Sequence, residues 1–280
     1  IQATVFSGIT PDPNIDCVEK AAALYMEENC QAIVAVGGGS VIDCMKLAAA
    51  RVVKPGQSVR QMKGLLKVHH RIPDFYAVPT TAGTGSEVTA AAVVTDTVDG
   101  IHCKYAVSDY CLIPRHAVLD PDLLVSLPAG ITAATGMDAL THAVEAYTNR
   151  FATSYVKKNA LDAVKLIYEN LEKSYNDGSD VEARKNMLMA SFAAGIAFTN
   201  NFVGYVHAVA HALGGIYGIS HGLANAILLP YVMEQYGKSA WKELAELADA
   251  AGIEGDSIEE KSRNFIASIR KMNSNMGIPE

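Results

Sequence analysis

The stretch AIVAVGGGSVIDCMK, residues 32–46, places a short β-rich run directly before three glycines and a helical pattern. Glycines between a strand and a helix allow a tight turn and let backbone N–H groups approach a phosphate closely. The start of the helix adds positive partial charge facing such an anion. The pattern is not GxGxxG, because Ile42 stands where the last glycine would fall, and no GK[ST] follows as in a Walker loop. We interpret this turn as a phosphate-binding loop; a tight turn locally capped by Ser40 and Asp43 is the alternative.

A second polar loop, PTTAGTGSE at residues 79–87, follows another short apolar run. Gly83 and Gly85 expose backbone in it, and hydroxyl groups come from Thr80, Thr81, Thr84 and Ser86. Open α/β sheets bind nucleotides in loops at the carboxyl ends of parallel strands. For either loop alone, a turn without a ligand is the alternative reading. The two loops together favour a cofactor that contains a diphosphate.

Outward from these loops, strand-like and helix-like segments alternate, which predicts βαβ units and a mainly parallel sheet. The expected strands include residues 3–6, and a pair at 93–95 and 104–107 flanks the hairpin signal Asp99-Gly100. After Pro128 the strand signals nearly vanish. Long helical patterns then cover residues 130–148, 154–176, 181–200, 206–217 and 222–236. The sequence therefore predicts an α/β domain at residues 1–127 and an all-helical domain at 128–280.

Composition excludes several classes of function. Half of the 280 residues are hydrophobic and 19% are charged, which is typical of a well-packed globular protein. A net charge of −7 without a basic run argues against nucleic-acid binding. The longest apolar stretches are too short for a membrane span. Five scattered cysteines without a CxxC pair fit reduced thiols, so we expect a cytoplasmic protein that binds neither nucleic acid nor membrane.

One aspartate and several histidines recur at helical spacing in low-charge segments. Asp138 and His142 are four residues apart in GMDALTHAVEAY (136–147), and so are His207 and His211 in VHAVAHALGGIYGISHGLANAILLP (206–230). Residues four apart share one face of a helix, and His221 follows a glycine-rich break that lets the chain turn back. A carboxylate and three imidazoles would make a mononuclear metal site. Two helices packed at a core could also carry these side chains for hydrogen bonding alone.

The spacing HAVAH also invites comparison with zinc proteases. Their motif places a glutamate beside the first histidine as general base. Ala208 occupies that position in this chain, which argues against protease chemistry.

Taken in order, the motifs GGGSVIDCMK, PTTAGTGSEVT, GMDALTHAVEAY and HAVAHALGGIYGISHGLANAILLP resemble those of the iron-containing (group III) alcohol dehydrogenases. The resemblance runs along the whole chain. It implies a Rossmann-like α/β domain followed by an all-α domain, the dehydroquinate synthase-like fold. Because family members are longer, it also implies truncation at both ends. The first βα unit, with the acidic residue that helps to choose NAD over NADP, would precede Ile1, and the last helices would follow Glu280.

Carried over motif by motif, the resemblance implies site residues. The metal ligands would be Asp138, His142, His207 and His221, and the neighbouring His211 would be catalytic. Cofactor contacts would come from Gly37, Gly38, Gly39, Ser40, Asp43, Thr80, Thr81, Thr84, Ser86 and Lys104. For Lys104, a solvated strand lysine is the alternative.

The implied reaction is hydride transfer between a small alcohol and NAD or NADP, with a divalent metal polarising the substrate oxygen. Family custom suggests Fe(II), with Zn(II) as the alternative, and a homo-oligomer of two or more chains. Two other hypotheses stay open. One is a zinc-dependent polyol dehydrogenase or dehydroquinate synthase-like relative, which commonly uses one carboxylate and two histidines. The other is a non-catalytic structural fragment. The sequence names neither the alcohol nor the choice between NAD and NADP.

Overall fold

A computed structural model describes residues 2–98 and 101–280 of the chain. The chain forms two compact units, one from residues 1–80 with 86–119 and the other from residues 81–85 with 120–280. The division thus assigns the loop segment 81–85 to the helical unit. The domain boundary expected at residues 127/128 stays a prediction.

The described residues of the first unit form three α-helices, a short 3-10 helix and two small sheets. Its elements are α1 (Ile15–Glu27), β1 (Ala32–Gly37), α2 (Gly39–Val53), α3 (Val59–Met62), β2 (Gly64–Leu65), β3 (Asp74–Pro79), β4 (Ala91–Val98), β5 (Ile101–Ser108) and β6 (His116–Ala117). One sheet has the order β1-β3-β6 and is parallel throughout; the other has the order β2-β5-β4, with β2 parallel and β4 antiparallel to β5. The mainly parallel arrangement was expected from the sequence. The turn residues Asp99 and Gly100 lie outside the described residues.

The core of this unit follows from the strand and helix periods. On β1 the buried residues Ile33 and Ala35 alternate with exposed ones, so one face packs inward. That face meets α2, where Leu47 is fully buried. The predicted strand at residues 3–6 is wrong: that segment has no regular secondary structure.

The second unit consists of helices. They are α4 (Ala129–Thr148), α5 (Ser154–Asn176), α6 (Val181–Thr199), α7 (Tyr205–Tyr217), α8 (His221–Tyr236), α9 (Trp241–Ala250) and α10 (Ile258–Asn275). The first five agree with the predicted helical segments to within one residue at either end. None of the helices among the described residues has the length and apolar character needed to span a membrane.

Helix α4 is the centre of the helical unit. Every residue from 136 to 147 is buried, and the helix packs against α5, α6, α8 and α9. Glycines allow neighbouring helices to approach α4 closely. A Cβ at Gly136 would come within 2.2 Å of the Leu171 side chain of α5. A Cβ at Gly222, in the first turn of α8, would come within 2.3 Å of the Ala134 carbonyl oxygen. Polar side chains on so buried a helix need partners inside the protein.

Candidate metal centre and cofactor loops

Two buried carboxylates and one buried imidazole lie along α4. Asp138, His142 and Glu145 are 2%, 5% and 3% exposed. Their spacing of four and then three residues puts them on one face of the helix. This face is therefore a polar stripe in an otherwise apolar surrounding, and such a stripe requires charged or hydrogen-bonding partners.

Helices α7 and α8 bring the partners to that stripe. His207 lies in the first turn of α7, and Gly218 ends the helix in the left-handed conformation with φ +69°. The chain reverses there, and α8 begins at His221. His207 Nε2 and His221 Nε2 each lie 3.7 Å from Asp138 Oδ1. The predicted turn back toward the first histidine pair is therefore present.

The imidazole rings form one continuous group. The His142 ring stacks on His207, with centroids 4.5 Å apart, and on Phe198 at 4.2 Å. His221 lies 5.3 Å from His207 and 4.8 Å from His211. Ligand atoms of Asp138, His142 and His207 lie within 4.8 Å of one another, so a single cation could bind all three. The structure thus brings the predicted ligands together, with His211 beside His221.

The chemistry of these atoms fits a divalent transition metal. His207 Nε2 and His142 Nδ1 are buried and have no hydrogen-bond partner among the described residues. Such orphaned atoms cost free energy unless a ligand occupies their lone pairs. A carboxylate with imidazole nitrogens is a donor set for Fe(II) or Zn(II).

Burial and neighbouring charges shift the pKa values of Asp138, His142 and His207 in different directions. Burial alone would raise the pKa of Asp138, but His142, His221 and His207 hold it below its usual range. Burial lowers the pKa of His142 to about 3, so its imidazole is neutral and can act as a ligand. For His207 burial opposes protonation, yet Asp138 and Glu145 outweigh it and raise the pKa to about 9.

Two residues of this site were not foreseen from the sequence. Glu145 Oε2 lies 2.5 Å from His207 Nδ1, and its carboxylate also accepts backbone hydrogen bonds from the start of α7. Asn225 Nδ2 lies 2.6 Å from Asp138 Oδ1 and 3.2 Å from His221 Nε2. The available signal was spacing: Glu145 is three residues after His142, and Asn225 is four after His221.

The first cofactor loop lies in the α/β unit. Gly37 ends β1 and Gly38 precedes α2, whose start has no side-chain cap. Ser40 Oγ instead accepts the N–H of Asp12 at 3.3 Å, while Asp43 accepts from the Ser86 hydroxyl at 2.5 Å and from Val93 N at 2.9 Å. The alternative reading, a turn capped locally by Ser40 and Asp43, therefore does not describe this loop.

Two further predicted cofactor residues lie close to this loop. Lys104 Nζ is 2.6 Å from Asp12 Oδ2, and only 12% of the lysine side chain is exposed. Because Asp12 also bonds Ser40, Lys104 belongs to the surroundings of the glycine turn and is not a solvated strand lysine. The N–H of Thr80 bonds the Gly37 carbonyl at 3.0 Å.

The second cofactor loop is divided between the units. Thr80 and Ser86 belong to the α/β unit, whereas the segment from Thr81 to Gly85, with Thr84, packs in the helical unit. There a Cβ at Gly83 would lie 2.3 Å from the Thr135 carbonyl oxygen, and Gly85 has φ +61° beside α6. Burial lowers the pKa of His142, and the backbone of Gly83 acts on that imidazole in the opposite direction. This segment thus lies against one of the predicted metal ligands.

Comparisons with known proteins agree with this geometry. The family model for iron-containing alcohol dehydrogenase matches residues 1–121, and the one for the C-terminal part of the Fe-containing alcohol dehydrogenase family matches 132–280. The chain is 40% identical to 1,3-propanediol dehydrogenase of Klebsiella pneumoniae, over all of this chain and 72% of that protein. It is 37% identical to NAD-dependent methanol dehydrogenase of Bacillus methanolicus, over all of this chain and 73% of that protein.

A solved structure of 1,3-propanediol oxidoreductase matches with a TM-score of 0.94 and 39% identity, over 99% of this chain and 72% of the other. The fold expected from the sequence, an α/β region followed by a helical region, is confirmed. The chain therefore belongs to the iron-containing alcohol dehydrogenase family.

Proposed function

We propose that the chain catalyses reversible hydride transfer between a small alcohol and NAD or NADP with the help of a divalent metal. Membership of the family and the activities of the relatives named above support this reaction. The single observation that carries it is the buried group of Asp138, His142 and His207, whose ligand atoms converge within 4.8 Å. The substrate class is small alcohols and diols.

The proposed ligands of the metal are Asp138, His142, His207 and His221, and the proposed metal is Fe(II). When bound, such a cation acts as a Lewis acid that polarises the substrate oxygen and lowers its pKa. The residues of the chain hold the ligand atoms in place. Asn225 does so by donating to Asp138, and Glu145 by bonding the far nitrogen of His207. A zinc-dependent relative with one carboxylate and two histidines is disfavoured, because His142 and His221 both approach the group.

The proposed cofactor site is the glycine turn and its neighbours. Residues 37–40 would present backbone N–H groups and the positive end of α2 to the pyrophosphate. Asp43 fixes the hydroxyl of Ser86, and Asp12 connects Ser40 with Lys104, so these side chains are ordered before the cofactor binds. Further contacts are proposed for Thr80, Thr81 and Thr84. These ordered side chains would hold a bound cofactor in a fixed position, and the cofactor would supply the nicotinamide that exchanges the hydride.

His211 is the proposed proton carrier. Oxidation of an alcohol releases the hydroxyl proton, and a nearby imidazole can accept it and pass it on. The His211 ring lies 4.8 Å from the ring of His221 and is only partly buried, so it has access both to the metal ligands and to water.

The test is turnover of the purified protein on a panel of short alcohols and diols, with NAD⁺ and NADP⁺ offered separately. We expect alcohol-dependent reduction of at least one cofactor, its loss on chelation, and its recovery when Fe²⁺ is restored under anaerobic conditions. Metal-independent turnover, or none with any alcohol in the metal-loaded protein, would contradict the proposal.

We further propose a cytoplasmic homo-oligomer. Five free cysteines support a reducing compartment. Light scattering coupled to size-exclusion chromatography tests the oligomer, and a mass equal to one chain would contradict it.

A further inference from the structure

Glu145 makes three contacts at the start of α7. The Gly204 N–H lies 2.9 Å from Glu145 Oε2 and the Val206 N–H lies 2.6 Å from Oε1. His207 Nδ1 lies 2.5 Å from Oε2. The carboxylate is almost fully buried, so these contacts replace the water that would otherwise solvate it. A buried carboxylate with so many donors is fixed in position.

These contacts decide which nitrogen of His207 carries a hydrogen. An ionised carboxylate can only accept hydrogen bonds, so the Nδ1 atom that faces it must carry the proton. A bound metal displaces the second ring proton, and in the resulting neutral imidazole the lone pair resides on Nε2. That atom has no hydrogen-bond partner among the described residues and lies 3.7 Å from Asp138 Oδ1. Glu145 thus directs the lone pair of His207 toward the other ligand atoms.

Glu145 also sets the position of the helix that carries His207. Gly204, the residue before α7, offers no side-chain cap, and the Glu145 carboxylate accepts two of the N–H groups at this helix start. Space is limited as well: a Cβ on Gly204 would come within 2.8 Å of Glu145 Oε1. The first turn of α7 is therefore tied to α4 by the same side chain that orients the imidazole.

We propose that Glu145 is a positioning residue for the metal, which holds His207 in the orientation and tautomer that coordination requires. This inference rests on the proposed function, since it presupposes that His207 is a ligand. Carboxylates behind metal-bound histidines typically contribute 10- to 100-fold to metal affinity.

A glutamine at position 145 tests the acceptor role with little change in volume. Both carboxylate oxygens accept backbone N–H groups, so an amide NH₂ must face a donor whichever way it is placed. If the NH₂ replaces Oε2, it also faces His207 Nδ1 and drives the ring proton to Nε2, which blocks the lone pair. Glu145→Gln should therefore weaken metal binding while the helices stay folded.

The experiment measures Zn²⁺ affinity by competition with a chromophoric chelator, for the full chain and for Glu145→Gln. The matched control is Glu246→Gln, since Glu246 bonds Tyr147 and Lys157 and none of the histidines. We expect affinity about 10- to 100-fold weaker for Glu145→Gln and unchanged for the control. Affinity of Glu145→Gln within twofold of the unsubstituted chain would overturn the inference. Absence of Zn²⁺ binding by the unsubstituted chain would instead contradict the proposed function.

A second variant keeps the inference testable if Glu145→Gln does not fold. Gly204→Ala leaves Glu145 unchanged but crowds its Oε1 atom. Its control is Gly130→Ala, where a Cβ meets nothing within 4 Å. We expect weaker Zn²⁺ binding and faster amide hydrogen exchange at Val206 in Gly204→Ala alone, because both depend on the position of the carboxylate. Equal affinity and exchange in the two alanine variants would overturn the inference.

Discussion

Lys46 and Glu87 are buried charged residues of the α/β unit that lie next to the proposed cofactor loops in sequence. Lys46 Nζ donates to the Thr89 carbonyl at 2.7 Å and to the Ala91 carbonyl at 3.0 Å, which ties α2 to the start of β4. Glu87 is 2% exposed, and its Oε1 has no hydrogen-bond partner among the described residues. The two side chains differ accordingly: the ammonium group is well satisfied by hydrogen bonds, and the carboxyl group is not.

This difference predicts a pH dependence of stability. Burial raises the pKa of Glu87 from 4.5 to about 7, so between these values the folded chain binds more protons than the unfolded chain. Stability therefore falls as the pH rises through this window, by roughly 3 kcal/mol for the full change in pKa. Glu87→Gln removes the titration, so the variant should gain on the unsubstituted chain as the pH rises from 5 to 8. Urea denaturation of the metal-free proteins at both values measures the gain.

Parallel stability curves for the two proteins across this range would contradict the prediction. Such a result would mean that Glu87 is already ionised at pH 5 in the folded chain.

Helices α4, α7 and α8 carry the proposed metal ligands, and the sequence predicted the bounds of all three to within one residue. Each is a long and mostly apolar segment that ends in a turn or a glycine, so its bounds could be read from the sequence. Helices α9 and α10 were not identified, and the apolar run at residues 3–6 forms no strand. A run of four apolar residues does not determine a strand, since pairing depends on which neighbours the fold supplies.

For the candidate site too, the local sequence predicts some residues and misses others. His207, His211 and His221 stand out in the sequence because histidine is uncommon in apolar segments. Glu145 does not stand out, because glutamate is among the commonest residues of helices. Its three-residue spacing from His142 is the one sequence signal, and only the structure shows its burial and its contacts with the start of α7. Likewise, nothing in the sequence indicates that residues 81–85 pack with the helical unit.

Close packing of α8 on α4 leads to a prediction at the level of elements. Gly222→Ala would place a Cβ within 2.3 Å of the Ala134 carbonyl oxygen, a backbone atom that cannot rotate away. We expect a loss of about 1–3 kcal/mol, the usual cost of overpacking. The helix should also shift at the turn that begins with His221, so metal affinity should fall. Urea denaturation and chelator competition measure the two effects.

The matched control is Gly215→Ala in α7, where a Cβ meets nothing within 4 Å. An alanine inside a helix is better than glycine by up to about 1 kcal/mol, so this variant should be as stable as the unsubstituted chain or slightly more stable. Equal stability of Gly222→Ala and Gly215→Ala would contradict the close packing of α8 on α4.

On the scale of the whole molecule, the two units carry different parts of the proposed chemistry. The α/β unit holds the glycine turn with Ser40, Asp43 and Lys104, and the helical unit holds the proposed metal ligands. The chain spans 72% of the length of the 1,3-propanediol dehydrogenase that it matches. Since all four proposed ligands belong to the helical unit, metal binding should not require residues of the α/β unit.

Metal content is the measurement that tests this account most directly. Elemental analysis of the anaerobically purified chain should give about one divalent metal ion per chain, because binding saturates a single site. His207→Ala should lose the metal and the alcohol-dependent turnover together. The same substitution at His116, an exposed histidine of the α/β unit that stacks on Tyr76, should change neither. Full metal content and turnover in His207→Ala would contradict the assignment of the site.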